Sequence, residues 1–209
     1  MSTLPIAATQ IITPYVLSDD EEADYLNTAN NTNSTARRGG GRWSFAFSIW
    51  PLNIISDGLE VAALDVFLTT NPSFEVPVEN IFPTELTGVV TVAGATAVGS
   101  LTVAISMADS GNVPLPGQYI KFSNKSKAYR VASYAVTTGT TGTITLTKPL
   151  RQALTTSHTM EYSGTDGKSN SFDGILVSFR NPNFGQPMYR VDGGITARFG
   201  PIQLYEAIS

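Results

Sequence analysis

A mainly β chain with one α-helix is what the sequence predicts, with a small β unit inserted into a β-rich host. Three observations carry that prediction. Short runs alternate apolar and polar residues with a period of two between Gly, Pro and Asn turn signals. A single window, Ser56–Leu68, carries helical spacing and ends at Asn71-Pro72. Charge also divides unevenly. Residues 89–163 hold six basic side chains against Asp109 and Glu161, net +4, and the other seven basic and fifteen acidic residues give −8. The insert is therefore bounded near residues 88 and 163.

From the start, residues 1–35 read as an N-terminal arm. Ile6, Ile11, Ile12, Tyr15 and Val16 suit a short strand or a contact with a neighbour. The acidic run Asp19-Asp-Glu-Glu22 reads as a solvated stretch, with a basic partner surface as the sharper alternative. The tract from Asn27 to Thr35 has nothing to bury and reads as a loop or mobile segment. Arg37-Arg-Gly-Gly-Gly-Arg42 then leads into Trp43–Trp50, where Trp43, Phe45, Phe47 and Ile49 share one strand face. The glycine triplet lacks a Gly-Lys-[Ser/Thr] ending and precedes a strand, so it reads as a turn and not a phosphate loop.

In the helical window, Asp57 and Glu60 have capping-box spacing. Leu59, Ala63, Val66 and Phe67 supply the apolar face, flanked by Leu64. Phe74, Val76 and Val78 alternate next, up to a turn at Pro83. A charge-free, β-prone stretch follows from Gly88 to Ile105. The hairpin unit Pro114–Arg151 places Ile120 and Phe122 on one strand face, with Tyr119 and Lys121 on the other. Polar Ser123–Lys127 turns the chain, Ala128–Val131 returns, and Ile144 and Leu146 alternate before Pro149. Such short antiparallel strands suit a small barrel or sandwich. Beyond a linker at Ser163–Asn170, Ile175, Val177 and Phe179 alternate, and Ile195–Phe199 and Ile202–Glu206 finish as strands.

Composition excludes several functions. The 209 residues contain no cysteine, so disulfide and thiol chemistry are out. One histidine, His158, cannot build a histidine metal site. No apolar run approaches the ~20 residues of a membrane-spanning helix, and the start lacks the basic and apolar regions of a signal peptide. Charged residues make up only 14%, against ~25% in an ordinary soluble chain, which hints at surface buried in an assembly.

No catalytic constellation emerges. His158 has no nucleophile elbow beside it and reads as structural. Asp109, Glu161, Asp166 and Asp173 sit in turn-like contexts, where Asp side chains mimic a backbone turn. No enzyme activity and no cofactor is expected. The insert invites comparison with five-stranded oligonucleotide- or sugar-binding barrels, with Tyr119, Phe122 and Tyr129 beside Lys121, Lys127 and Arg130 as a stacking platform. A net +4 in an acidic chain favours the plainer reading, in which Ile120, Phe122 and Val131 are core and the lysines decorate a hairpin. A saccharide site through Tyr119, Tyr129 and Tyr134 is the alternative.

The order of motifs resembles one known family. Arg42-Trp43 precedes the helix Leu59-Glu-Val-Ala-Ala-Leu-Asp-Val-Phe-Leu68, and Phe74-Glu-Val-Pro-Val78 follows it. Next come Gly94-Ala-Thr, Pro116-Gly-Gln-Tyr-Ile, Ala128-Tyr-Arg-Val and Lys148-Pro-Leu-Arg151. This is similar to the distal tail proteins of long-tailed bacteriophages and gene transfer agents, with their R-W…A-A-L-x-A-F-L…F-x-L-P and G-A-T…G-D-Y-I…Y-x-V…P-L-R patterns. The resemblance covers Arg42 to Arg151. It departs at Gln118, where Asp is usual, and in the long polar arm.

That resemblance implies a split β-barrel with one helix, like tail-tube subunits, built from residues 36–87 plus 164–209. It would carry an OB-like β-barrel at 88–163. It implies a non-enzymatic virion protein, assembled in the bacterial cytoplasm and found at the tail tip. Such a protein forms a homo-oligomeric ring, usually a hexamer, that joins the tail tube protein to the hub and tail-tip proteins. DNA would pass through the lumen without specific binding. Trp43, Trp50, Tyr119, Lys121, Tyr129 and Arg130 are the candidate assembly and insert-surface residues. A tube or terminator subunit is a further alternative.

Overall fold

The computed structural model describes residues 2–20, 23–27, 33–37, 42–80, 86–109, 113–186 and 189–207, with backbone alone for 12–20, 23–27, 33–37 and 42. The chain is mainly β with a single α-helix. In order it forms β1 (Ile11–Asp20), β2 (Ala23–Asn27), β3 (Asn33–Arg37), β4 (Arg42–Ile49), β5 (Leu52–Asn53), α1 (Ile54–Thr70), β6 (Ser73–Glu79), β7 (Val90–Val92), β8 (Thr102–Ser106) and β9 (Tyr119–Phe122). Then come β10 (Ala128–Thr138), β11 (Thr141–Leu146), β12 (Thr159–Glu161), β13 (Ser163–Thr165), β14 (Ser171–Arg180), β15 (Tyr189–Asp192), β16 (Thr196–Phe199) and β17 (Ile202–Glu206).

The host is a curled sheet in the order β1-β4-β17-β14-β13, with β6 also paired to β14, plus a small sheet β15-β16-β5 that α1 continues from. All of its pairings are antiparallel. The period-two pattern of β4 is realised: Trp43, Phe45, Phe47 and Ile49 are buried, and Phe45 stacks on Phe179 with ring centroids 5.2 Å apart. Between β6 and β14, strands β7 to β12 close a separate antiparallel barrel in the order β10-β11-β8-β7-β12-β9. Its own core includes Ile105, Ile120, Phe122, Tyr129 and Ile144.

Three expectations change. Of the N-terminal arm, the described residues up to Asp20 pack on the host, with the strand that Ile11, Ile12, Tyr15 and Val16 suggested. Leu4 and Ile6 are fully buried in the host core, and β1 pairs with β4 from Ile11↔Ile49 to Asp20↔Arg42. The ends of the polar tract belong to a two-stranded sheet, β2 paired with β3 from Ala23↔Arg37 to Asn27↔Asn33, and residues 28–32 lie outside the described residues. Backbone pairing needs no apolar side chains, so polarity alone did not forbid strands there. The pairing also sets Asp20 across from Arg42 of the same chain. Glu21 and Glu22 of the acidic run, the Gly39–Gly41 turn and Pro83 lie outside the described residues.

The helix also begins earlier and is rotated. Asn53 is its cap: its side chain accepts the Ile55 N–H at 2.8 Å, while Asp57 Oδ2 accepts the Asn53 N–H at 3.0 Å. The expected Asp57–Glu60 box is not formed, and Glu60 instead meets Lys168 at 2.9 Å. The buried face is Val61, Leu64 and Leu68, whereas Leu59 is 91% exposed and Ala63 and Val66 are also exposed. α1 is apolar on two faces. Its anchorage at β5, where Ala197 pairs with Leu52 and Ile54 N–H donates to Ile195 O at 2.8 Å, decides which face turns inward.

Third, the outer face of β9 is not solvated. Ile120 and Phe122 fill the barrel, as the alternation requires, but Tyr119 joins the host core. The barrel is docked on the sheet, so β9 is sandwiched between two cores.

Candidate functional site

The junction of barrel and host gathers most of the residues singled out from sequence. Trp43 begins β4 at the sheet end nearest the barrel. Its indole N–H donates to Ala128 O at 3.0 Å, and its ring meets Tyr119 edge-on at 5.8 Å. Lys127 Nζ lies over the Trp43 ring and Arg130 over the Tyr119 ring, at 5.6 and 5.9 Å. Asn80 Oδ1 accepts the Tyr119 N–H at 2.7 Å, and Lys121 Nζ donates to Leu176 O at 3.1 Å while pairing with Glu161 at 3.2 Å.

At the centre is a buried ion pair, Lys127 Nζ to Glu206 Oε2 at 2.6 Å, with the Glu206 side chain 0% exposed. The same carboxylate accepts the Ala128 N–H at 2.8 Å and the Trp43 N–H at 3.2 Å. Burial pushes the Glu206 carboxyl above its ordinary range, and Lys127 with the two backbone N–H groups pulls part of that back. The charge division along the chain thus has a local consequence: a basic residue of the barrel meets an acidic residue of the host across the seam.

These contacts reassign the candidate surface. Trp43 and Tyr119 are buried in the seam, and Tyr129 is buried in the barrel, its hydroxyl accepting the Arg151 N–H at 3.0 Å. None of the three forms an exposed stacking platform or, with Tyr134, a saccharide site. Tyr134 packs on Gly142, its hydroxyl buried without a hydrogen-bond partner. Lys121 is tied down, whereas Arg130 stays exposed beside Gly117, and Trp50 is exposed at the far end of β4. Alternating polarity marked these side chains as off the barrel core. It could not show that a second core waits on the other side.

His158 serves a turn, its Nδ1 accepting the Thr155 N–H at 3.1 Å. Asp166 is a buried anchor: its carboxylate accepts N–H groups from Ala8, Lys168 and Asn170 at 2.9–3.0 Å. Burial pushes the Asp166 carboxyl up, but those hydrogen bonds outweigh it and hold the group below its ordinary range. Nearby, burial pushes Glu79 up, helped by the negative charges of Asp166 and Asp173.

Two exposed features remain unsatisfied by the fold. One is the outer face of α1, where Leu59 and Val66 (58% exposed) stand at helical spacing with Ala62 and Ala63 between them, and Ile55 (81%) lies in the turn before a kink at Asp57. Ile195, also exposed, sits beside its first turn. The other is a cleft of about 470 Å³ between the end of β4 and the β15–β16 hairpin, lined by Ser48, Arg190 and Arg198. It runs into a second hollow of about 380 Å³ lined by Tyr189, Asn183 and Gln186 and sharing the two arginines. Sequence spacing showed neither, because each depends on which faces the sheet covers.

Among the described residues, no helix is long and apolar enough to cross a membrane. Comparison of the chain with protein-family models and with curated proteins finds no match in either.

Proposed function

We propose that this chain is a non-enzymatic structural subunit that assembles with copies of itself into a closed ring, of the kind found at the distal end of a long phage tail. In this reading the host is the tail-tube-like split barrel that builds the ring, and the inserted barrel is an OB-like domain projecting from it. The ring, a hexamer, joins the tail tube to the hub and tail-tip proteins of the virion and lets DNA pass without reading it.

The observation that carries the proposal is the outer face of α1. Leu59 and Val66 on one helix stripe, with exposed Ile55 in the turn before the kink at Asp57, make a continuous apolar surface suited to a neighbouring subunit. Burying a side chain of this size contributes roughly 1.5–3 kcal/mol. A ring repeats one heterologous contact at every subunit, so a single stripe serves each interface. The order of motifs between Arg42 and Arg151 supports placing that ring on a phage tail.

Light scattering and negative-stain microscopy of the purified full chain test this directly. Closed rings are expected, and Leu59→Asp should return the chain to monomers while leaving its melting temperature within a few degrees. A wild-type chain that stays monomeric at every accessible concentration would sink the proposal.

A further inference from the structure

The β15–β16 cleft faces a different task from the helix stripe, and its lining is specific enough to name a ligand class. Arg190 and Arg198 are both held by Asp192. Arg190 Nε meets Asp192 Oδ1 at 2.9 Å, its Nη2 donates to Oδ2 at 3.3 Å, and Arg198 Nε meets Oδ2 at 2.7 Å. One carboxylate thus fixes two guanidinium groups. On Arg198 it engages the Nε, and Arg198 is one of the residues that line the cleft.

Among the described residues the rest of the lining carries no carboxylate and mixes apolar Ile49, Pro51 and Pro201 with polar side chains. Ser48 contributes a hydroxyl, and Asn183 and Gln186 contribute amides in the adjoining hollow. Tyr189 packs against buried Phe199 with ring centroids 5.3 Å apart, and its remaining surface faces the hollow. A fixed aromatic ring suits the apolar face of a sugar, while amides and hydroxyls suit its hydroxyl groups. Two arginines against one aspartate leave one net positive charge, enough for a single anionic group, which a guanidinium edge binds through paired hydrogen bonds.

We infer that this cleft binds a saccharide carrying one negative charge, as a ring carboxylate or a phosphodiester. The site lies on the host, at the opposite end of β4 from the barrel junction, and does not depend on ring assembly.

Isothermal titration of the full chain with three probes tests it: a glucuronate-containing disaccharide, a glucosyl glycerol phosphodiester, and the neutral disaccharide cellobiose. A dinucleotide serves as the nucleic-acid comparison. Saturable binding of at least one charged saccharide, with cellobiose at least about ten-fold weaker, is expected. Whichever charged probe binds identifies the anionic group. Arg198→Gln, at an exposed position, should weaken that probe about ten-fold. Tyr189→Ala should weaken the charged saccharide and cellobiose alike. Failure of both charged saccharides to bind overturns the inference. So does equal binding of cellobiose, tighter binding of the dinucleotide, or an unchanged affinity in Arg198→Gln.

Discussion

Replacing Glu206 by Gln removes the charge at the centre of the seam without changing its shape. Glu206 is fully buried, and its two oxygens accept from Lys127, Ala128 and Trp43. The amide keeps one acceptor oxygen and points an NH2 donor at groups that are themselves donors. Lys127, 3% exposed, then loses the Glu206 carboxylate that it meets at 2.6 Å. Breaking one side of a buried pair costs about 3–5 kcal/mol. Total stabilities are about 5–15 kcal/mol, so this is a large fraction. For a chain of this length it corresponds to a fall in melting temperature of about 6–20 °C. The double replacement Lys127→Met with Glu206→Leu behaves differently. Burial is already the dominant influence on Glu206, so removing both charges relieves a desolvation penalty as it removes the attraction. The double variant should stay within about 2 kcal/mol of wild type. Calorimetry and urea unfolding of the wild type, Glu206→Gln and the double variant measure both values. A Glu206→Gln loss below about 1 kcal/mol, or a double variant worse than the single, would refute the argument that the buried Lys127–Glu206 pair governs this seam.

Leu64→Ala, on the buried face of α1, should cost about 2–5 kcal/mol, whereas Leu59→Asp on the outer face should change monomer stability by no more than about 0.5 kcal/mol. Denaturant unfolding of both variants checks the helix rotation independently of assembly. Asp166→Asn should cost about 1–3 kcal/mol, because a neutral amide has one acceptor for three backbone N–H groups. The folded state holds the Asp166 carboxyl below its ordinary value of 3.8, so its contribution is present above that pH and is lost as pH falls through the lower folded value. The stability difference between wild type and Asp166→Asn should therefore shrink in melts run below about pH 4. Gly167→Ala puts a methyl inside van der Waals contact of the Leu4 carbonyl oxygen, a backbone atom that can move only with the N-terminal segment. It should cost about 1–3 kcal/mol and make the first ten residues the earliest proteolytic cleavage site.

The alternation of Trp43–Ile49, Phe74–Val78, Tyr119–Phe122, Ile175–Phe179 and Ile202–Leu204 was enough to find the strands that form the two cores. Side-chain direction along a strand follows from local geometry alone. The charge-free run and the hairpin unit also marked a β segment with its own composition, and the strands from Val90 to Glu161 pair among themselves. Other features were beyond local reading. β2 and β3 use backbone hydrogen bonds that leave little trace in polar side chains. Tyr119 looks like a surface aromatic until the barrel sits against the sheet. Lys127 and Glu206 are 79 residues apart and become a pair only there.

The same division holds for function. The sequence by itself determined a mainly β chain with one helix, without cysteine chemistry and with no local catalytic motif, because those properties reside in residue types and short-range periodicity. Only the tertiary structure decided that Val61, Leu64 and Leu68 turn inward while Ile55, Leu59 and Val66 stay exposed. Only the fold brought Arg190 and Arg198 together on Asp192 beside Ser48. The physical reason is common to both: periodicity gives the angles between side chains, but burial depends on what packs against them, and that is set by strands distant in the chain.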